Sequence, residues 1–304
     1  MTRFRVLWVI PAVLVAGTAS LFGQPGQSGL AFLKLGVSGR GVAMGDALSA
    51  LVTGAAANYY NPAGLIAPTG AELMFTHKEW IQDTRTEFLG AAVPTGPNNA
   101  IGASVSTTTV SDIEVRLQPG PAQGSFTSRD LAVGLSFAHL IAPNLRVGIA
   151  GKFLYEKIFV NDATGFAVDF GGIWDSPIEN LTIGGAVANL GSMNALQSEK
   201  ITLPALLRIG PGYAFPLESP QLQLSAGADY LRIFPEHRSY LNSGAELVFQ
   251  QLLAVRIGYQ FGSDGRGLST GIGLHYGLLT LDYAFAKLSS DLGDGHTISL
   301  AVGL

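Results

Sequence analysis

The chain has 304 residues, no cysteine and a formal net charge of −4, and only 13% of its residues are charged. The lack of cysteine excludes disulfides, a lipid-modified N-terminal cysteine and thiolate metal sites. The weakly acidic charge gives no reason to expect nucleic acid as a partner. The mean hydropathy is +0.32, yet no apolar run after the N-terminus is long enough for a transmembrane helix. The hydrophobicity must therefore be spread along the chain in another pattern.

The first 24 residues predict a secretory signal peptide. Arg3 and Arg5 give a basic start, residues 6–16 are apolar, and small residues at 17–19 suit cleavage. The alternative is an N-terminal membrane anchor, but the apolar stretch is short for a spanning helix. Export therefore directs the rest of the chain to the envelope of a diderm bacterium.

Residues 25–70 are small and apolar but follow no regular period, which predicts short helices joined by glycine-rich turns. The glycine-rich stretch 36–45 lacks a preceding strand and a following Gly-Lys-Ser or Gly-Lys-Thr, so it does not predict nucleotide binding. The alternatives for 25–70 are a loose periplasmic tail and a plug folded into the domain that follows. We favour the plug, because the segment is too apolar for a solvated tail.

From residue 71 to the end, segments of about ten residues alternate between apolar and polar or small residues. In the clearest of them, Val147, Ile149 and Phe153 share one parity while Arg146 and Lys152 share the other. Successive side chains of a strand point to opposite faces, so each segment has one apolar and one polar face. The pattern predicts an all-β fold, a transmembrane antiparallel β-barrel of about 14 strands with an N-terminal plug. The predicted strands are 71–79, 86–93, 98–108, 130–139, 145–156, 164–174, 181–189, 204–214, 221–231, 239–249, 253–261, 268–276, 278–286 and 296–304.

The predicted connections alternate between tight turns and mostly longer loops, which is the asymmetry between the periplasmic and outer ends of outer-membrane barrels. The longest predicted loop, 110–129, is interpreted as a lid over the mouth, a contact for a partner or a mobile surface loop. Aromatic residues on the apolar parity fall at strand ends and predict two belts at the membrane interfaces. The predicted outer belt is Phe153, Tyr155, Tyr230, Tyr259, Phe261, Tyr283 and Phe285, and the predicted inner belt is Trp174, Tyr213, Phe249 and Tyr276.

The polar parity carries most of the charged residues of the predicted strands. A cationic side chain facing lipid at mid-depth costs about 2–4 kcal/mol, so we expect these side chains to face the lumen. The predicted lumen-facing residues are Arg146, Lys152, Asp169, Arg208, Asp229, Glu246, Arg256, His275 and Asp282.

Three motifs in the plug segment carry a resemblance to a known family. They are Phe-Leu-x-x-Gly at 32–36, Arg-x-x-x-Met-Gly-x-Ala at 40–47 and Asn-Pro-Ala-Gly-Leu at 61–65. Together with Leu-Asp-Tyr-Ala-Phe-Ala at 281–286 and the stretch 292–300, they resemble the PorV/PorQ family of FadL-like outer-membrane barrels. The resemblance covers both ends of the chain, whereas the middle agrees only in pattern. The predicted plug-motif residues, structural or ligand-gating, are Arg40, Met44, Gly45, Asn61, Pro62 and Gly64.

The resemblance implies a 14-stranded barrel with an N-terminal plug and one of two roles. PorV-type members serve type IX secretion and bind the C-terminal signal domain of secreted cargo at the cell surface. FadL-type members pass long-chain fatty acids or other hydrophobic compounds. The expected partners are therefore outer-membrane lipid and either a cargo signal domain or secretion translocon, or a hydrophobic small molecule. The secretion role is the main interpretation and transport the alternative.

A lipid-modifying enzyme is a third hypothesis, because Ser106, Ser136 and His275 fall on predicted lumen faces and such enzymes need a nucleophile beside a histidine. Nothing in the sequence places these residues together. The five histidines show no metal-ligand spacing. The sequence therefore predicts no catalytic residues, no metal site and no cofactor.

Overall fold

The computed structural model describes residues 28–66, 70–81, 84–116, 118–263, 265–289 and 293–304. The predicted signal peptide, 1–24, and residues 25–27 of the predicted plug lie outside the described residues. The N-terminal segment, 28–66, contains the 3-10 helices Ala31–Lys34, Gly54–Ala56 and Pro62–Leu65 and the α-helices α1, Gly39–Ala43, and α2, Ala57–Tyr60. Within the described ranges, no helix is long and apolar enough to cross a membrane.

In the described residues, fourteen antiparallel strands form a closed barrel in which each strand pairs with its sequence neighbours and the first pairs with the last. This confirms the predicted fold class. The first seven strands are β1 Glu72–Glu79, β2 Thr84–Gly96, β3 Asn99–Val115, β4 Gly124–Ala142, β5 Leu145–Ile158, β6 Asn161–Asp175 and β7 Leu181–Met193. The other seven are β8 Leu206–Phe215, β9 Leu222–Ile233, β10 Arg238–Phe249, β11 Leu253–Phe261, β12 Arg266–Tyr276, β13 Leu279–Leu288 and β14 Asp294–Gly303.

The prediction of a loop at 110–129 is wrong for most of these residues, because β3 continues to Val115 and β4 begins at Gly124. Val115 pairs with Gly124, and the amide of Gln123 donates to the carbonyl of Val115 at 2.9 Å. Similarly, the predicted connection 157–163 shrinks to residues 159–160. The alternation fades here because both faces of these outer strand ends meet water, while the backbone pairing continues. The predicted difference between long and short connections is therefore largely a difference in strand length.

The parity of the strands sorts side chains between the two faces of the wall as predicted. In β5, Ile149 and Phe153 are exposed on the outside while Ala150 and Leu154 are buried inside. The predicted aromatic belts lie on the outer face as well; Tyr276, for example, is exposed at the inner end of β12. The outer face is thus a continuous apolar surface, which suits a wall that is solvated by lipid.

The N-terminal segment contacts the inward faces of the strands around the barrel. Its largest apolar cluster packs Met44, Leu48 and Leu65 against wall residues such as Phe88 of β2 and Met74 of β1. The hydrophobic core of this protein therefore lies between the segment and the wall.

Glycines on the inward parity let the segment approach the strands closely. A Cβ atom at Gly244 of β10 or Gly258 of β11 would meet the backbone of Met44 or Gly45. Gly45 itself has a φ of +65°, a left-handed conformation that glycine adopts at little cost. Backbone therefore packs directly on backbone at this side of the barrel.

Candidate functional site

The motif Asn-Pro-Ala-Gly-Leu forms a compact turn fixed to the wall. The Asn61 side chain accepts from the amide of Ala63 at 3.1 Å and donates to the carbonyls of Ser49 at 2.8 Å and Gly172 of β6 at 3.0 Å. Pro62 begins the 3-10 helix, and a Cβ atom at Gly64 would meet Val52. These residues set the path of the segment, because one buried amide satisfies three backbone groups.

Arg40 joins the segment to a charged cluster at the inner end of the barrel. Its Nη2 lies 2.9 Å from Oε1 of Glu246, whose Oε2 accepts from Nε of Arg256 at 2.5 Å. Nη1 of Arg256 lies 2.6 Å from Oδ1 of Asp282 on β13. The neighbouring Glu246 carboxylate raises the pKa of the Arg40 guanidinium despite its burial. Three predicted lumen residues and one predicted plug residue thus form one alternating chain of charges.

This cluster lines a cavity of about 480 Å³ at the inner end of the barrel, called here the inner cavity. Its wall includes Glu72 at the start of β1 and the predicted lumen residue His275 at the end of β12. The amide of Ala55 donates to Glu72 at 2.8 Å, so the wall is tied to the segment at this point as well.

A second cavity of about 220 Å³, the outer cavity, lies at the outer ends of the strands. Arg266 at the start of β12 binds the carboxylate of Asp46 and donates to the carbonyl of Val42 at 2.9 Å. The hydroxyl of Tyr60 donates to Asp46 at 2.5 Å. Burial raises the pKa of the Asp46 carboxyl, but the charges of Arg266 and Lys78 and the bond from Tyr60 outweigh it and hold this pKa below 3.8.

Arg208 of β8 also lines the outer cavity and contacts Tyr59 twice. Its Nη2 donates to the Tyr59 hydroxyl at 2.9 Å and its Nη1 to the Tyr59 carbonyl at 3.3 Å, with the guanidinium 4.7 Å from the ring centre. Burial raises the pKa of Tyr59 to about 12, so its hydroxyl stays protonated at neutral pH. The arginine is therefore held by a neutral phenol.

The remaining predicted lumen residues bind other partners. Asp229 of β9 accepts from the amide of Ser49 at 2.8 Å. Lys152 lies 2.6 Å from Asp169, and Arg146 lies 2.8 Å from Asp175 at the inner rim. These three contacts stabilise the wall and its attachment to the segment, since each places a buried or half-buried charge beside a partner.

Sequence reasoning missed Asp46, Tyr59 and Arg266 as site residues. Arg266 was assigned to a connection, whereas β12 begins with it, and Asp46 and Tyr59 lie in a segment without periodicity. The signal that could have found Asp46 and Tyr59 is the presence of a charged and an aromatic residue among the small residues of the N-terminal segment.

The serines and the histidine considered for catalysis lie in different places. Ser106 borders a cavity of about 30 Å³ beside Phe88 and Lys152, whereas His275 borders the inner cavity. Ser136 of β4 is buried. The structure therefore does not bring a nucleophile and a base together from these three residues.

The fold recurs in solved structures of channels. The Pseudomonas putida toluene transporter TodX gives a TM-score of 0.61 at 12% identity, covering 88% of this chain and 97% of that one. A TodX deltaS2S3 mutant, a monoaromatic hydrocarbon channel, gives 0.62 at 11% identity and covers 88% and 99% of the two chains. A Pseudomonas aeruginosa FadL homologue gives 0.55 at 13% identity, covering 87% and 97%.

This chain has the fold of these barrels. No family model matches its sequence, and no curated protein does. With this fold and an apolar outer face, it is an outer-membrane β-barrel. Within it, residues 40–46 of the segment separate the two cavities, since Arg40 lines the inner one and Asp46 the outer one.

Proposed function

We propose that this protein is an outer-membrane channel of the FadL type that passes hydrophobic small molecules. The observation that carries the proposal is the position of the N-terminal segment between an outer and an inner cavity, inside a barrel whose fold recurs in hydrocarbon channels. Cavities beside a barrel's lumen-filling element are where a transported solute would rest. Transport, the alternative interpretation of the sequence, is therefore preferred here over secretion.

Passage requires movement of the segment. The described cavities have mixed polar and apolar linings and do not form the continuous apolar pocket expected of a transporter. The contact between the segment and β1–β4 is tightly packed around Leu48, Leu65 and Phe88. On the other side, residues 40–46 separate the two cavities, so a solute can cross from the outer to the inner cavity only if this part of the segment moves away from the wall.

A reversible disulfide between the segment and the wall tests this requirement. A Cβ atom at Gly212 of β8 would lie 3.3 Å from the Cβ of Ala50, slightly below the separation of about 3.5–4.5 Å found in disulfides, and would overlap Cδ2 of Leu51, whose side chain must shift to admit the bond. Because the native chain has no cysteine, the double variant Ala50→Cys, Gly212→Cys can form only this bond within the chain.

The measurement is uptake of labelled toluene by diderm cells that express the full chain in the outer membrane. We expect uptake several-fold above that of cells without the protein, blocked by oxidation of the double variant and restored by dithiothreitol. Ala50→Cys alone should respond to neither reagent. Uptake equal to that of cells without the protein would refute the channel, and uptake through the oxidised variant would refute movement of the segment.

The motif resemblance favours a second candidate, the secretion role. Motifs within residues 32–65 resemble PorV/PorQ elements, and β3 and β4 form a hairpin at the outer end whose tip, residues 118–123, is exposed. A type IX cargo signal domain should then cross-link to this tip in cells, and deletion of the tip should abolish the cross-link. We further propose that the protein is not an enzyme, in keeping with the separation of Ser106 from His275.

A further inference from the structure

Two carboxylates lie side by side on the inward face of the wall, towards the outer ends of β4 and β5. Asp130 of β4 and Glu156 of β5 pair in register, so their side chains are direct neighbours on one face. The next inward residues, Ala132 and Leu154, belong to the apolar cluster that includes Leu30 of the segment. Like charges directly opposite each other destabilise a sheet, so the pair needs a neutralising group.

Neither carboxylate has a hydrogen-bond or ion-pair partner among the described residues. The Glu156 residue is only 9% exposed, and no described side chain or backbone amide donates to its carboxylate. Asp130 is half-buried, and its Oδ1 is the one oxygen of the pair that is both fully buried and without a partner in the described part of the chain. Buried carboxylates are nearly always paired or hydrogen-bonded, so this pair indicates a ligand that supplies positive charge.

The cationic side chains around the pair are directed or bound elsewhere. Arg129 and Lys157 are adjacent to the two carboxylates in sequence, but they lie on the outward parity and are exposed. On the inward parity, Lys152 is bound to Asp169, and Lys78 donates to a backbone carbonyl at 3.1 Å. The positive charge must therefore come from a solute.

The neighbouring side chains in the same row also end in oxygen atoms. Thr86 of β2 pairs with Thr108 of β3, and Thr108 pairs with Asp130. The two hydroxyls are 2.8 Å apart, and both threonines are buried. Two hydroxyls and two carboxylates thus form one row across four strands. A set of donors made only of oxygen favours a hard divalent cation, Ca²⁺ or Mg²⁺, over metals that prefer sulfur or imidazole.

The row is suited to a weak site that is reached from outside the cell. Among the described residues, no group of three or more histidine, cysteine, aspartate or glutamate side chains is placed to hold a metal ion. A cation between two carboxylates therefore takes its remaining ligands from hydroxyls and water. Extracellular calcium sites of modest charge have a Kd of about 10⁻⁴–10⁻³ M. Glu156 lies two residues from the outer end of β5, within reach of the outer medium.

We propose that Asp130 and Glu156 hold a hard divalent cation, Ca²⁺ or Mg²⁺, at the outer mouth of the barrel, with the hydroxyl of Thr108 beside them. The cation would join β3, β4 and β5 near the point where β3 and β4, the longest described strands, rise above their neighbours. The inference goes beyond the proposed channel function and does not depend on it, because the site belongs to the wall and not to the segment.

Calorimetric titration of the full chain in phosphatidylcholine nanodiscs with CaCl₂ or MgCl₂ tests the site, and each salt is also titrated into empty nanodiscs. We expect at least one of the two cations to bind with a Kd of about 10⁻⁴–10⁻³ M. Asp130→Asn and Glu156→Gln should each weaken binding at least tenfold. The matched controls, Asp162→Asn and Glu179→Gln at exposed positions, should bind as the native protein does. Binding that neither site variant weakens, or no saturable binding of either cation, would overturn the proposal.

Urea unfolding of the detergent-solubilised protein distinguishes a cation site from two carboxyl groups that share a proton. In EDTA, Asp130→Asn and Glu156→Gln should unfold at higher urea than the native protein, because each removes the repulsion within the pair. Saturating Ca²⁺ or Mg²⁺ should move the native midpoint to higher urea and leave both variants unchanged, since a ligand stabilises only the state that binds it. A native midpoint that is the same in EDTA and in both cations would refute the site, even if a variant does not fold.

Discussion

The N-terminal segment is held differently on its two sides. Against β1–β4 it packs through apolar side chains, with Leu48 and Leu65 beside Phe88. Against β8–β13 it is held by charges and hydrogen bonds, among them Arg40 with Glu246 and Asp46 with Arg266. Most of the wall residues that line the two cavities belong to this second side, while Glu72 and Met74 of β1 also line the inner one.

The apolar side and the charged side of the segment contribute differently, one to the stability of its contact with the wall and the other to its position. Burial of apolar side chains stabilises a contact in proportion to the apolar surface area that is removed from water, and it depends little on the orientation of the groups. Buried ion pairs contribute little net stability against apolar replacements, but removal of one partner is strongly destabilising. The apolar side therefore holds the segment in the barrel, while the charged side fixes its register.

The largest effect should come from Arg256, which bridges Glu246 and Asp282 on the charged side. Arg256→Met would leave two buried carboxylates without this partner, and we expect a loss of about 3–5 kcal/mol in the free energy of unfolding. Urea unfolding of the detergent-solubilised protein measures it. Arg232→Met, on the outward parity, serves as the control. A loss no larger than that of the control would show that the cluster does not fix the segment.

On the apolar side, Leu65→Ala should cost about 2–5 kcal/mol, because Leu65 is fully buried and its truncation leaves a cavity. The same urea titration measures the loss. Leu135→Ala, on the lipid-facing side of β4, should cost much less. If the two variants unfolded alike, the packing between the segment and the wall would not be the core of the protein.

The close contact between the backbone of the segment and the backbone of β11 should be weakened by the addition of a single methyl group. Gly258→Ala would place a Cβ atom against the backbone of Met44 and Gly45, and overpacking of this kind costs about 1–3 kcal/mol. We expect the segment to become more sensitive to added protease at equal temperature. Gly151→Ala, where a Cβ atom meets nothing within 4 Å, is the matched control and should not change cleavage.

The smallest effect should be the response of the Asp46 contact to acid. The folded protein holds the pKa of Asp46 below its ordinary value of 3.8. The carboxylate therefore stabilises the fold at pH values above 3.8, and this contribution is lost as the pH falls through the lower pKa of the folded state. The native protein should therefore exceed Asp46→Asn in unfolding free energy at neutral pH, and the difference should shrink in acid. An advantage that grew as the pH fell would contradict the ion pair with Arg266.

The wall of the barrel could be predicted from the sequence because its signal is local. The bounds of β11, 253–261, agree in prediction and structure, and Ile257 and Tyr259 face outward as their parity requires. The outer ends of β3 and β4 could not be predicted, since Thr109, Ser128 and their neighbours are polar on both parities and leave no apolar alternation. Their pairing depends on the neighbouring strand.

The candidate site could be predicted only in part. The inward parity of Glu246, Arg256 and Asp282 followed from the cost of a charge in lipid. Their connection to Arg40 did not, because 206 residues separate Arg40 from Glu246 in the chain. The unsatisfied donor of Arg208 is likewise a property of its surroundings, since every arginine has the same donors.

Four features follow directly from the amino-acid sequence: the alternating wall, its apolar outer face, the inward parity of its charges and the non-periodic segment before it. These features arise from a two-residue period and from the lipid outside, which act on each strand separately. The folded chain alone reveals which inward charges pair, where the segment lies on the wall and which buried donors lack a partner. Those relations exist only once β1 meets β14, because closure brings residues from distant strands around one enclosed segment.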